Sequence, residues 1–537
     1  DGILFYTNGG RNTVRDNLVS ASGTHGMTVL SSDNIVQGNY IGTNLSGTTS
    51  FANQHNGIYL AGSRNQIGGS TPDQRNLISG NLANGIAVGT DLDGKDNLIQ
   101  GNYIGTDYSG TFAIGNKDHG IYVSGIGHQI GGSLNGQGNL ISGNGQNGIT
   151  VGDLGQHNII SGNYIGTNST GTKPIPNADT GIALWQGVAY NTVGGDTPAE
   201  GNLVAFNHDF GIAKWGEGQG NRITNNTIHH NDSVALRITA NTSLFNNNVY
   251  GNGVNRIELP AGTIESNQQW GPQGEADTYF VYWACESCNL EIAEDGALTI
   301  GAGAQVRMDY NRSILVRGKL TAEGTSEKPV RIIGPRDTIW AGDWAGIYFT
   351  PGSQGHFCYS DISFARTGLA VEGTVTVENS AFSGNLYSGI TVSNTGTVYL
   401  HGNSFSGNRQ YDVRNKTATP IGAQGSWWGD ANGPRPEKIE GGVDTDNWRT
   451  GEKQNDKWYT AETLNPGVHR FAISQYNDLD WFRVPVLDNN QILSVTLEDL
   501  PADYDLFLFS HLGGVSNYLE DIARIMWVDE LEHSGEI

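Results

Sequence analysis

The first half of the chain repeats itself with a period of sixty-odd residues. The hexapeptide Gly-Asn-Tyr-Ile-Gly-Thr recurs with spacings of 63 and 61 residues, at 38–43, 101–106 and 162–167. A Gly-Gly pair after Ile or Val recurs every 63 residues, at 68–69, 131–132 and 194–195. A period shared by two independent motifs indicates an array of stacked units rather than one globular core.

Short alternating strands bounded by glycine or asparagine lie between these motifs. They have the form Gly-Ile-x-Val/Leu and occur at 57–60, 85–88, 120–123 and 148–151. Strands of about four residues cannot cover a sandwich core, but in a solenoid each one pairs with its equivalent in the next turn, about 4.8 Å away. We therefore predict a right-handed parallel β-helix. Dividing the period by three gives coils of about 21 residues with three strands and three turns each.

Composition and charge agree with an array and exclude some partners. The chain has 77 glycines and 15 prolines among 537 residues, and only 16% of its residues are charged. Glycine and asparagine suit tight, left-handed turns, where asparagine amides can also form ladders from coil to coil. A net charge of −24 argues against nucleic acid, because binding phosphates requires clustered Lys and Arg. No apolar run approaches the roughly 18 residues of a membrane span.

The repeats over residues 1–267 resemble the parallel β-helix repeats of large bacterial surface and secreted proteins, a pattern shared with carbohydrate-active β-helices. Residues 268–288, which are aromatic and acidic, are interpreted as a junction or insertion. From 289 to 434 a second β-helix segment resembles another bacterial family through Asp343-Trp344-x-Gly346-Ile347 and the final Trp427-Trp428-Gly429-Asp430. We expect the two terminal tryptophans to close the end of the solenoid; a sugar-stacking role is the alternative.

A linker over 435–457 leads to a different kind of sequence. Residues 458–537 resemble the bacterial pre-peptidase C-terminal module, a small antiparallel β-sandwich, through Asp478-x-Asp480-Trp481-Phe482 and Asp503-x-Asp505-Leu506. Such modules normally extend further, so we expect the final strands to be missing or divergent. Because the chain begins at Asp1 inside a repeat, we interpret it as a fragment of a larger secreted or cell-surface protein.

No established catalytic motif stands out. The sequence lacks G-x-S-x-G and H-E-x-x-H, which argues against a protease. The best candidates for acid–base chemistry on a glycan precede the Gly-Ile strands and would line up on one face: His55, Asp118, His119, Asp179 and Asp209, with His208 beside the last. Capping of turns by Asp and His is the alternative. A second polar cluster contains His229, His230 and Asp232.

Binding sites are proposed from two further patterns. Trp185 and Trp215 fall beside Gly-Ile strands and would form a sugar-stacking platform if they face outward, although their direction is not fixed by the pattern. Alternating acids in a glycine-containing loop suit Ca²⁺ at Asp91, Asp93 and Asp96, and the resemblance of the C-terminal module implies a second calcium site at Asp503 and Asp505. Solvated turn acids are the alternative for both.

The cysteine pattern gives no metal site. Cys285 and Cys288 form one C-x-x-C pair and Cys358 stands alone, whereas a zinc site needs about four ligands. A local disulfide or buried thiols remain the simpler interpretations.

These observations predict an extracellular structural or adhesive β-helix that binds polysaccharide and has no certain cofactor. The alternative is a polysaccharide lyase, glycoside hydrolase or epimerase on the same scaffold, since this scaffold carries many activities. Stacking of solenoid ends also leaves end-to-end self-assembly open.

Overall fold

The computed structural model of the chain describes residues 1–6, 10–89, 94–152, 154–282, 289–335, 340–430 and 432–449, together with four short strands beyond them. The chain divides into two compact units. The first comprises Asp1–Thr325 and Pro329–Trp448, and the second comprises Ser326–Lys328 and Arg449–Ile537. In the described residues no helix is long and apolar enough to cross a membrane.

The first unit is a parallel β-helix, as predicted. Its longest sheet, sheet A, has 16 described strands, each hydrogen-bonded in parallel to its equivalents in the neighbouring coils. These strands are Ile3–Phe5, Met27–Val29, Ile58–Leu60, Ile86–Val88, Ile121–Val123, Ile149–Val151, Ile182–Leu184, Ile212–Lys214, Val234–Arg237, Val254–Pro260, Thr278–Tyr282, Gln305–Met308, Val330–Ile333, Ser360–Ser363, Ala381–Ser383 and Ser404–Ser406.

Two further sheets complete the coils of the N-terminal part, with nine described strands each. Sheet B contains Thr13–Arg15, Ile35–Gln37, Gln66–Gly68, Leu98–Gln100, Gln129–Gly131, Ile159–Ser161, Thr192–Gly194, Asn221–Thr224 and Thr242–Phe245. Sheet C contains Leu18–Val19, Tyr40–Ile41, Leu77–Ile78, Tyr103–Ile104, Leu140–Ile141, Tyr164–Ile165, Leu203–Ala205, Thr227–His229 and Asn248–Tyr250.

In the C-terminal part the coils are completed by sheets D and E, with eight and six described strands. Sheet D contains Thr263–Ile264, Leu290–Ile292, Ser313–Val316, Trp344–Phe349, Ala365–Val371, Ser388–Val392, Tyr411–Asn415 and Ile439–Glu440. Sheet E contains Asn267–Trp270, Ala297–Gly301, Lys319–Glu323, Gln354–Cys358, Thr374–Glu378 and Thr397–His401. A two-stranded sheet, Ile421–Gly422 with Val443–Asp444, and three 3-10 turns, Pro72–Gln74, Pro198–Glu200 and Pro436–Lys438, complete the regular elements of this unit.

The predicted coil length of about 21 residues is wrong for the repeat region. Asparagines that occupy one corner in successive coils are 31, 32, 33 and 30 residues apart, so each period holds two coils rather than three. The residues beyond the predicted 21 per coil lie in loops, which occur at one corner in one coil and at another corner in the next. One coil of each pair carries a loop closed by an antiparallel bridge, Thr43 to Ser50 or Thr106 to Ala113, and the next coil has a loop after its Gly-Gly pair. Two coils with different loops therefore make one sequence repeat.

The recurrent asparagines have the predicted structural role. At three corners of the N-terminal coils, asparagine side-chain amides donate to the side-chain oxygen of the equivalent asparagine in the next coil, and most of these oxygens also accept a backbone N–H. The exception is His128, whose Nδ1 takes the place of the acceptor oxygen and whose backbone N–H alone donates to Asn158. One ladder runs through Asn34, Asn65, Asn97, His128, Asn158, Asn191 and Asn221. The second runs through Asn39, Asn76, Asn102, Asn139, Asn163, Asn202, Asn226 and Asn247. The third runs through Asn53, Asn81, Asn116, Asn144, Asn177, Asn207, Asn231 and Asn252.

The repeated hexapeptide turns the chain into the bridged loops. Gly42, Gly105 and Gly166 have φ near +89°, +88° and +83°, a conformation that L side chains rarely adopt, so glycine is required there. Each loop folds back over sheet C, and successive loops are joined by backbone hydrogen bonds, Tyr108 to Gly47 at 3.0 Å and Ser169 to Gly110 at 2.9 Å. The hexapeptide is thus a structural signature of loop stacking.

The expected junction is part of the solenoid where it is described. The strands Asn267–Trp270 and Thr278–Tyr282 pair with coils on the C-terminal side, and sheet A continues through Thr278–Tyr282. Trp270 and Tyr279 are buried and stack at 4.8 Å. The set of sheets that forms each coil changes at this junction, because sheets B and C end and sheets D and E begin.

Tryptophans close the C-terminal end of the core, as expected. Phe382 stacks on Phe405 at 5.5 Å, and Phe405 stacks on the buried Trp428 at 4.9 Å. Trp427 is also buried and bridges to Ser404, the first residue of the last sheet A strand. Both rings are removed from solvent, which does not support the sugar-stacking alternative for them.

The second unit is described only as four strands. Glu462–Thr463 pairs in parallel with Phe482–Arg483, and Ser494–Val495 pairs antiparallel with Gly535–Glu536. The other residues of the predicted sandwich, including Asp503 and Asp505, lie outside the described part of the chain.

Candidate functional site

The outer face of sheet A carries the clearest cluster of chemically useful side chains. In the three-residue strands of sheet A from Met27–Val29 to Ile212–Lys214, the first and last residues are buried and the middle residue points outward. Ala183 and Ala213 occupy this outward position in successive coils, and Arg237 follows them in register. Neither alanine has exposed surface.

Trp185 and Trp215 lie on this outer face and contact each other. Each follows an inward residue at the end of its strand, so the alternation that points Ala183 and Ala213 outward also points the tryptophans outward. Their rings stack with centroids 5.4 Å apart, and Trp185 is 45% exposed. Phe210 meets Trp215 edge-on at 5.9 Å. We call these three rings the aromatic platform.

Arg237 closes one end of the platform. Its guanidinium carbon lies 5.8 Å from the ring centroids of both Phe210 and Trp215 and 5.4 Å from that of Tyr282. It also donates a 2.6 Å hydrogen bond to the Tyr282 hydroxyl. These contacts hold the guanidinium beside the rings in one orientation.

Lys214 holds the backbone of the platform from inside. It occupies the core column in register with Leu184, yet its ammonium group reaches the corner and donates to four backbone carbonyls. The acceptors are Trp185 at 3.2 Å, Trp215 at 2.8 Å, and Gly216 and Glu217 at 3.0 Å each. Burial lowers the pKa of Lys214 to about 8. The side chain therefore ties both tryptophan carbonyls to one buried cation.

Asp179 and Asp209 meet across neighbouring coils at the other end of these strands. We call them the carboxyl pair. Asp179 is exposed and Asp209 is half-buried. Burial raises the pKa of Asp209, and the charge and hydrogen-bonding reach of Asp179 raise it further, while Ser233 and Arg237 act in the opposite direction. Asp179 is thus close enough to influence the protonation of Asp209.

Asp118 and His119 lie two coils before the pair. His119 Nδ1 is 3.2 Å from the Thr150 hydroxyl and accepts a 3.3 Å hydrogen bond from the Asn147 backbone N–H. Burial lowers the pKa of His119 despite the charges of Asp118 and Asp179. Asp118 accepts a 3.3 Å bond from Gln146, which belongs to the coil between Asp118 and Asp179.

His55 lies further along the same face. It contacts His25 at 5.5 Å between ring centroids, and His25 stacks at 5.1 Å on Tyr59, an outward residue of sheet A. The candidate residues before the Gly-Ile strands therefore share one sheet, although the structure places only Asp179 and Asp209 side by side.

The remaining histidines belong to other surroundings. His208 pairs with Asp232 at 2.8 Å on an exposed turn. His229 and His230 bring their Nδ1 atoms within 2.9 Å, and His229 stacks on Tyr250 at 4.8 Å at the end of sheet C. These contacts give the three histidines structural partners, and none of them involves Asp179 or Asp209.

The calcium and cysteine predictions fall largely outside the described residues, which exclude Asp91, Asp93, Cys285 and Cys288. Asp96 is described and has a left-handed backbone, with φ near +57°. No group of three or more His, Cys, Asp or Glu side chains arranged to hold a metal ion occurs among the described residues. Cys358 is a free thiol whose pKa is raised by burial and by Glu378 and Glu323, so it is not an activated nucleophile.

Sequence reasoning missed Lys214, Arg237, Phe210 and Tyr282. A lysine in the final position of an Ile-Ala-Lys strand, where other coils have Val or Leu, was a usable signal for Lys214. No signal in the sequence pointed to Arg237 and Tyr282, because these residues are 45 positions apart and meet only through the stacking of coils.

Comparisons with known proteins add little to this description. No protein-family model matches the chain, and no curated protein matches it. Among solved structures, the chain is similar to a crystal structure of a TibC-catalysed, hyper-glycosylated TibA fragment, with 12% identity and a TM-score of 0.21, over 68% of this chain and 99% of that one. The assignment of the parallel β-helix therefore rests on the strand pairing described above.

Proposed function

We propose that this chain is part of a secreted or cell-surface β-helix protein that binds polysaccharide on the outer face of sheet A. The observation that carries the proposal is the stacked, outward-facing pair Trp185 and Trp215 next to the carboxyl pair. Aromatic rings offer flat apolar surface to the C–H face of a sugar, and carboxylates accept hydrogen bonds from its hydroxyl groups. The location outside the cell is supported by the resemblance of the repeats.

The arrangement along sheet A suits an extended polymer. Outward aromatic residues of this sheet recur on both sides of the platform, with Tyr59 and Tyr122 toward the N-terminus and Tyr282 toward the C-terminus. Tyr59 and Tyr122 each stack on a histidine, at 5.1 Å and 6.0 Å. Because successive coils lie about 4.8 Å apart, these side chains form a row parallel to the solenoid axis.

Glycan arrays followed by calorimetry with purified oligosaccharides test the proposal. The intact chain should bind at least one extended glycan, and Trp185→Ala and Trp215→Ala should each weaken that binding about tenfold or more. Tyr399→Ala is the matched control, because Tyr399 is a 59% exposed aromatic residue on sheet E. Absence of binding to every glycan, or equal loss in the Tyr399 variant, would contradict the proposal.

Carbohydrate cleavage is the second candidate function, and the raised pKa of Asp209 beside Asp179 is the observation that favours it. A carboxyl group that keeps its proton can act as a general acid. Assays for reducing ends and unsaturated uronates, on any glycan that binds, separate the two functions. Turnover that Asp209→Asn or Asp118→Ala abolishes supports an enzyme, and binding without turnover supports the adhesive function.

A further inference from the structure

We propose that the glycan bound at this site carries free amino groups, with a protonated sugar amine held by Asp179 and Asp209 while the sugar chain packs on the aromatic platform. This inference rests on the proposed function and names its ligand class. The occupant is a polymer of amino sugars that are not acetylated.

The charges around the platform favour a cation. Asp118, Asp179 and Asp209 lie just before the first residues of the sheet A strands. The cation whose charge reaches Asp209 is Arg237. Arg237 is engaged by Tyr282 and the rings of Phe210 and Trp215. The ammonium of Lys214 is surrounded by four carbonyls beneath the surface, and burial lowers the pKa of His119, which favours its neutral form. A uronate would face this acidic wall, whereas an ammonium group would be attracted to it.

The carboxyl pair makes local contacts: Asp179 accepts a 2.9 Å hydrogen bond from the backbone N–H of Thr180, and Asp209 accepts one from Ser233. The corner beside the pair is already bridged by the neutral amides of Asn144, Asn177 and Asn207, which bond from coil to coil at 2.9 Å. Two like charges in neighbouring coils oppose each other unless a proton or a cation lies between them. A primary ammonium group has three donors, enough to bond both carboxylates and one further acceptor.

The pair and the platform form one continuous surface. Asp209 is followed directly by Phe210, whose ring contacts Trp215. Arg237 lies over both of these rings, and its charge also reaches Asp209. Gln146 from the preceding coil and Asp118 from the coil before it lie on one side of the pair, and Ser233 from the following coil lies on the other. A sugar residue on the tryptophans can therefore present a substituent to the carboxylates.

Calorimetry with two oligosaccharides of one length and backbone tests the inference at mildly acidic pH and about 150 mM salt, where interactions between distant charges are screened. The probes are a fully N-acetylated chitin oligosaccharide and its fully deacetylated counterpart. We expect the deacetylated probe to bind about tenfold more tightly or better. Asp179→Asn and Asp209→Asn should each weaken binding of the deacetylated probe much more than binding of the acetylated probe, and so remove most of this preference.

Two control variants make the outcomes distinct. Glu265→Gln removes one exposed carboxylate after the first sheet D strand and should keep the preference, whereas Trp185→Ala should weaken binding of both probes. Equal affinity for both probes would overturn the inference and leave glycan binding standing. A preference that survives both Asp variants would reflect only the −24 net charge and would also overturn it. If neither probe binds but another glycan does, the amino-sugar inference fails and the proposed function stands.

Discussion

The N-terminal and C-terminal parts of the solenoid solve the same packing problem with different side chains. In the N-terminal part, through about residue 256, strands of two to four residues alternate with corners bridged by asparagine ladders. In the C-terminal part, from 289 to 430, several strands have five to seven residues and the core contains stacked Phe382, Phe405 and Trp428. We call these the amide-ladder region and the aromatic-core region.

The difference shows how coil length and corner chemistry are linked. Amide ladders satisfy backbone groups at the corners in every coil, so coils of the amide-ladder region accommodate inserted loops and reach 37 or 39 residues between equivalent positions. Equivalent residues in the last coils of the aromatic-core region, from Ser360 onward, are 20 or 23 residues apart, and serines or an aspartate share the corner positions with asparagine. Earlier in this region one coil also reaches 33 to 35 residues. The aromatic-core region, in which serine or aspartate takes the place of some corner asparagines, has the larger side chains in its core.

The largest effect is expected from breaking the aromatic core. Phe405→Ala removes the ring between Phe382 and Trp428 and should lower the free energy of unfolding by about 3–5 kcal/mol. Urea denaturation followed by tryptophan fluorescence measures the change. Tyr399→Ala, which alters an exposed ring of the same region, should shift the midpoint little. A small loss in Phe405→Ala would show that the stack does not hold this end together.

A smaller loss is expected from interrupting an amide ladder. Asn139 donates to the Ile99 carbonyl and to Asn163, and its oxygen accepts from the backbone and side chain of Asn102. Asn139→Ala leaves these buried groups unpaired, so we expect a loss of about 2–3 kcal/mol in the same assay. Asn56→Ala, at a partly buried position, should cost less. An equal effect at both positions would contradict a special role for the ladder.

The smallest effects concern pH, and they should have opposite signs in the two regions. His128 replaces asparagine in a ladder, and burial lowers its pKa from 6.5 to about 4. Between these values the unfolded chain binds more protons, so stability rises with pH. Burial raises the pKa of Asp412 from 3.8 to about 6. Between these values the folded chain binds more protons, so its contribution to stability falls as pH rises.

Substitution of each group isolates its contribution. His128→Asn should stabilise the chain by about 1 kcal/mol at neutral pH and by more at pH 5, because an amide restores the ladder without a titrating ring. Asp412→Asn should remove the part of the free energy of unfolding that falls as pH rises. For either group, the free energy of unfolding should change by no more than about 1.4 kcal/mol per pH unit. Denaturation curves at several pH values measure both. If the two substitutions changed the pH dependence of the free energy of unfolding in the same direction, the predicted opposition between the two regions would be wrong.

The fold was predictable from the sequence to a useful degree. The two motifs with one period, the short Gly-Ile strands and the asparagines led to stacked parallel coils and to amide ladders, and both are present. The coil length was not predictable, because the period counts loop residues together with strand residues. The candidate site was predicted only in part: Asp179, Asp209, Trp185 and Trp215 were named, whereas Arg237 and Lys214 were not.

The sequence by itself determined that this chain winds into coils, because the spacing of small aliphatic residues and turn residues is a local property of the chain. The tertiary structure alone decided how many coils share one period and which outward side chains become neighbours. Those contacts depend on the register between coils, which backbone pairing and loop packing set together. Arg237 therefore lies beside Trp215 and Phe210, a neighbourhood that no local pattern encodes.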